Sequence, residues 1–151
     1  MFVLVRTLHI LAAIWFTCGV AAYMVTLRAM RQEKDIRAVG ALMRLIGRIM
    51  PLMMRPGGLL LVIFGLWTAY YESWPRFSME AIALLVIFVP FMALTGLGSH
   101  KLQAAVAEAL QAGSVTPALE AALRDRKLVI GDAGIGFITL LFLLLMTIQP
   151  S

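Results

Sequence analysis

Cysteine, histidine and acidic side chains are scarce in this chain, and each shortage closes off a class of chemistry. A single cysteine, Cys18, excludes an internal disulfide. No Cys-x-x-Cys, His-Glu-x-x-His or Cys-x-x-Cys-His arrangement occurs, which disfavours structural zinc and covalently attached c-type haem. Only two imidazoles are present, His9 and His100. Eight acidic residues against 13 basic ones leave a net charge of +5. In a soluble protein that excess would point to nucleic acid. Here the basic residues flank long apolar runs, so they read as orientation signals and contacts to anionic lipid head groups, and no nucleic-acid partner is expected. Polar sequence sufficient for a separate soluble catalytic domain is also lacking, so any chemistry must sit among the helices or at their ends.

What the chain has instead is apolar surface: 62% of its 151 residues are hydrophobic, and the mean hydropathy is +0.92. Four stretches carry it: Leu8–Leu27, Gly57–Tyr71, Ala81–Ser99 and Leu128–Ile148. A helix needs ~20 apolar residues to cross ~30 Å of hydrocarbon, so spans are expected over about 3–27, 52–71, 79–99 and 128–148. Arg28, Arg31, Lys34, Arg37, Arg44, Arg48 and Arg55 precede or enter the second span, and Lys101, Arg124, Arg126 and Lys127 lie between the third and fourth. By the positive-inside rule both connections are cytoplasmic and both termini face outward. The expected fold is an all-α transmembrane four-helix bundle, N-out and C-out. It forms one integral membrane domain over residues 1–151, multi-pass in the bacterial inner membrane.

The connections have structure of their own. Ile36, Val39, Met43, Ile46 and Met50 fall at helical spacing, with Arg37, Arg44 and Arg48 on the opposite face. This predicts an amphipathic helix lying on the inner membrane surface between spans one and two, closed by Pro51. Gly113 is placed to end a helical extension of the third span, and Thr116-Pro117 supplies an N-cap with proline at the first helical position. The second span is short, since Gly57–Tyr71 gives only about 22 Å of helix. Arg55-Pro56-Gly57-Gly58 is therefore expected to mark a break near the inner boundary, with Arg55 reaching toward water. Trp67, Tyr70, Tyr71 and Trp74 read as an outer aromatic belt.

Ionisable groups at membrane depth are costly, which makes them the site candidates. They fall into two layers. His9, Arg6 and Glu80 belong to the outer end, and Arg55, His100 and Asp132 to the inner end. His9 and His100 should stand roughly 20 Å apart along the normal, from a rise of 1.5 Å per residue. Two ligands of one iron sit about 4 Å apart, twice a typical metal–nitrogen bond, so a haem shared by both histidines is not expected. Two readings of His9 remain. In one it is an axial ligand of a b-type haem or another redox group, with Arg6 one turn outward meeting a propionate. In the other it is a neutral histidine bonded across the bundle to Glu80 or a backbone carbonyl. Asp132 likewise reads either as a relay with His100 or as an interfacial carboxylate near Arg55 or a lysine.

The run Thr7-Leu8-His9-Ile10-Leu11-Ala12-Ala13, followed by Arg55-Pro56-Gly57-Gly58 and Gly65-Leu66-Trp67, resembles a family of predicted four-span bacterial integral membrane proteins. The layout is similar, more distantly, to HemJ-type protoporphyrinogen oxidases and to the membrane domain of copper-resistance protein D. The HemJ-type resemblance implies a b-type haem and a first-span histidine, the position of His9. It also implies a histidine and a lysine at the start of the third span, where this chain has Phe77-Ser78-Met79-Glu80. The leading expectation is a small inner-membrane protein carrying a b-type haem or other redox group near His9. The alternatives are a non-catalytic subunit, partnered by other membrane proteins or by its own copies, and third a HemJ-like oxidase.

Overall fold

The computed structural model describes residues 2–72 and 75–147, excepting the side chains of residues 2, 69, 72, 75–81, 83–85 and 145–147. Among the described residues every regular element is helical: α1 Phe2–Gln32, α2 Ile36–Ile49, a π turn Met50–Met54, α3 Arg55–Glu72, α4 Pro75–Ala112, α5 Pro117–Leu123 and α6 Arg126–Thr147. Among the described residues three segments are long and apolar enough to cross a membrane: Val3–Gln32, Ile36–Thr68 and Pro117–Leu144.

Glycines set how these helices meet. Along α1 and α3, a Cβ on Gly65 would lie 2.9 Å from His9, one on Gly57 would lie 3.1 Å from the Phe16 backbone, and one on Gly19 would lie 2.9 Å from Met53. Rising numbers on one helix meet falling numbers on the other, so α1 and α3 are antiparallel. Gly98 against Leu128, Gly131 against Thr95 and Gly134 against the Phe91 ring give α4 and α6 the same relation. Gly136 of α6 faces Met24 of α1 and joins the two pairs. Where hydrophobic association is weak, as between helices in lipid, small residues that bring backbones together do most of the holding.

Packing is uneven along the molecule. The fully buried large residues are Leu27, Met30, Val39, Leu102, Leu119, Leu128 and Ile135. Most of these cluster where the inner ends of α1 and α4 meet α2, α5 and the start of α6. Away from that cluster large apolar side chains stand bare, among them Val3, Leu59, Tyr70, Val86 and Phe137. Exposed apolar area on this scale marks a surface made for lipid or for protein. Threonine hydroxyls in the helices are satisfied locally: Thr26, Thr68 and Thr139 donate to the carbonyls of Ala22, Phe64 and Ile135. This suits helices that have no water to turn to. Trp67, Tyr70 and Tyr71 are all exposed near the end of α3, whereas Trp74 lies outside the described residues.

Two expectations about the first connection need correction. Helix α2 forms as its periodicity predicts, capped by the Asp35 carboxylate accepting from the Arg37 N–H at 2.9 Å. Its apolar face, however, does not rest on lipid. Ile36, Val39, Ile46 and Ile49 are buried in the inner core, and Gly40 packs against Leu110 of α4. Nor does Pro51 close the helix. Proline has no N–H to give the carbonyl four residues back, and the chain answers by widening to the i→i+5 pattern, with the Arg55 N–H donating to the Met50 carbonyl. The helix then runs on through Pro56, Gly57 and Gly58 without the expected break. The second connection matches its prediction: Gly113 takes φ +68° at the end of α4, and the Thr116 hydroxyl accepts from Leu119 N–H at 3.2 Å to start α5.

Candidate functional site

Two polar positions stand out within the helices. The outer one is His9. Its ring is seated flush on Gly65 of α3, with the would-be Cβ at 2.9 Å from Cε1 and 3.4 Å from Nδ1. Any larger residue at position 65 would occupy the space the imidazole fills. Nδ1 is buried without a hydrogen-bond partner, and the Leu61 carbonyl is the backbone group facing the ring. Arg6, one turn outward, is exposed. The Glu80 side chain, the other expected partner, lies outside the described residues.

The donor set tests the fit of a haem. An imidazole nitrogen with no protein partner, held in orientation by a neighbouring helix, fits an axial ligand. Arg6 suits a carboxylate at the outer boundary. Inward the space is closed: Ala12 and Ala13 are buried, Gly19 is covered by Met53 and Met54, and the cavity between Ala13, Phe16, Leu61 and Thr139 holds about 10 Å³. That is room for one water. A planar group on His9 therefore fits only toward the outer end. Among the described residues no three of His, Cys, Asp and Glu converge as a metal cage.

The inner position is Asp132 of α6, whose side chain is only 9% exposed. Thr95 of α4 donates its hydroxyl to Oδ1 at 3.5 Å. The Tyr23 hydroxyl of α1 faces the same carboxylate. Arg31, two turns further along α1, brings Nη2 to 3.8 Å from Oδ2, while its Nε donates to the Leu123 carbonyl at the end of α5 at 3.1 Å. The structure thus gives Asp132 Arg31 as its cation, in place of the expected Arg55 or lysine. Arg55 is exposed at the start of α3. His100 is exposed on α4, and the α4–α6 register sets it beside the α5–α6 turn, at the opposite end of the bundle from His9. A surface ion pair, Lys101 with Asp125 at 3.1 Å, fastens α4 to that turn.

Sequence reasoning found Asp132 but missed Arg31, Tyr23 and Thr95. The only available signal was the spacing of Tyr23, Leu27 and Arg31 at four-residue steps, which puts a phenol and a cation along one side of α1. Nothing in the sequence said that this side meets α6.

A family model described as predicted integral membrane protein (DUF2269) matches residues 3–150. No curated protein and no solved structure matches the chain.

Proposed function

The chain belongs to that family of predicted integral membrane proteins, and from this premise we propose that it is a four-span, N-out and C-out protein of the bacterial inner membrane that carries a b-type haem or similar planar redox group on His9. The observation that carries the reading is the buried, unpartnered Nδ1 of an imidazole seated on a glycine. A polar group kept without a partner at membrane depth is expensive, and binding a ligand offsets that cost. The fourth crossing in this reading is α4, whose stretch Ala81–Ser99 is apolar throughout. A bound haem would supply one-electron transfer. The chain's own part is positional: Gly65 fixes the plane of the ring, Leu61 presents a carbonyl to it, and Arg6 offers a cation to a carboxylate at the outer surface.

A second reading, a non-catalytic subunit packing against other membrane proteins, is favoured by the closed inward interior and the bare apolar helices. One experiment separates the two. The full chain purified from cells supplied with haem precursor should show a Soret band that His9→Ala removes, while Gly65→Leu, which intrudes on the ring, should weaken it. A colourless native protein recovered in a much larger native complex supports the second reading and ends the first.

A further inference from the structure

Asp132 is left with poor company for a buried carboxylate. Besides the facing Tyr23 hydroxyl, its contacts to Thr95 and Arg31 are long, 3.5 Å and 3.8 Å, and Oδ2 is buried without a hydrogen-bond partner. A carboxylate removed from water needs close donors or a charge directly on it. Arg31 provides neither fully: at 3.8 Å it is beyond hydrogen-bond range, its side chain is 34% exposed, and its Nε is already held by Leu123. Beside the carboxylate stand the Tyr23 and Thr95 hydroxyls, the latter on Oδ1, both on buried residues. Among the described residues the ionisable groups facing Asp132 are Tyr23 and Arg31, both from α1, while α4 presents Thr95.

A cavity of about 450 Å³ opens at the inner end among Met30, Arg31, Lys34, Glu120, Leu123 and Arg124, so that Arg31 forms part of its wall. A second cavity includes Thr139, two turns further along α6. It is apolar and holds about 10 Å³. Arg31 thus lines the larger cavity and also faces Asp132, so a cation entering there meets the Arg31 side chain first.

We propose that Asp132, Tyr23 and Thr95 form a binding site for one small monovalent cation, a proton or a sodium ion, reached from the inner face with Arg31 as its competitor. Binding places the cation on Oδ2. Arg31 is then released from α6 but stays tied to α5 through Leu123. The site is independent of His9, which stands at the other end of α1.

The test uses the full chain in detergent. Its thermal midpoint is followed from mildly acidic to mildly alkaline pH at fixed ionic strength, with sodium chloride exchanged for choline chloride. Loading should raise the midpoint by about 2–4 °C, as expected for a chain of this length. A rise with sodium at alkaline pH identifies sodium, and a rise with acid alone identifies the proton. Asp132→Asn should abolish the response, Arg31→Gln should enlarge it, and Thr95→Ala should shift it to roughly tenfold higher cation concentration. The proposal is overturned if the native midpoint ignores both cations or if Asp132→Asn responds as the native chain does. Should Asp132→Asn fail to fold, an unaltered response in both Thr95→Ala and Tyr23→Phe is equally fatal.

Discussion

At the scale of single residues, His9 and Gly65 act as one unit. The ring lies where a Cβ on residue 65 would go, so Gly65→Ala should lower stability by about 1–3 kcal/mol, the usual cost of overpacking. His9→Ala opens the same space. The double substitution should then recover much of the loss, with a coupling of about 0.5–3 kcal/mol between the two sites. Denaturant unfolding of the four variants in one detergent measures it, and strictly additive losses would show that ring and glycine do not share the space. Both members were visible in the sequence, His9 as a lone imidazole and Gly65 within a short motif, but their contact was not. It depends on the antiparallel register of α1 and α3, which is fixed by three close approaches that no local pattern encodes. The partner of Asp132 was illegible for the same reason. Depth along the membrane normal put Arg55 in the layer of Asp132 and left Arg31 in the first connection, and only the placement of α1 against α6 brings Arg31 to the carboxylate.

Among the elements, those governed by local chemistry were the ones that could be read. Gly113, Thr116 and Pro117 each act within one turn of themselves, and the ends they define match the sequence expectation. Asp35 and Thr116 each satisfy an otherwise unpaired helix N–H. Asp35→Ala and Thr116→Ala should therefore each cost about 1 kcal/mol, and Asp35→Asn close to nothing. Thermal unfolding checks both, and equal losses for Asp35→Ala and Asp35→Asn would assign the effect to charge and not to the cap. Pro51 shows the limit of such reading. A proline after an amphipathic stretch usually ends a helix, yet here α1 and α4 bury the face of α2 and hold the chain on course. A π turn is the local adjustment that lets the helix continue past a missing donor. The supposedly short second span thereby becomes the end of a continuous segment running from Ile36 to Thr68.

For the molecule as a whole, the charge pattern and the packing divide the bundle into the same two ends. The Lys- and Arg-rich connections gather at the end that holds most of the buried core, and among the described residues the end marked by Trp67, Tyr70 and Tyr71 buries little of its apolar surface. With the proposed topology, a reporter active only outside the cytoplasm should be active when fused after Ser151 and silent when inserted at Gly113. The reverse pattern would invert the molecule and move His9 to the cytoplasmic side. The helical class was plain from composition alone. The division into a clad end and a bare end was not, because a run of leucines reads alike whether a neighbouring helix or a lipid tail covers it.

That division bears on how the chain is assembled. Leu27 and Met30 come from the first helix, Val39 from the second, Leu102 from the fourth, Leu119 from the fifth and Leu128 from the sixth, and all meet in one cluster. Leu27, Met30 and Val39 can meet early, but the cluster is not complete until Leu128 has left the ribosome. Insertion into the bilayer must then run well ahead of tertiary closure, and the last helix to emerge acts as the clasp that locks the earlier ones together.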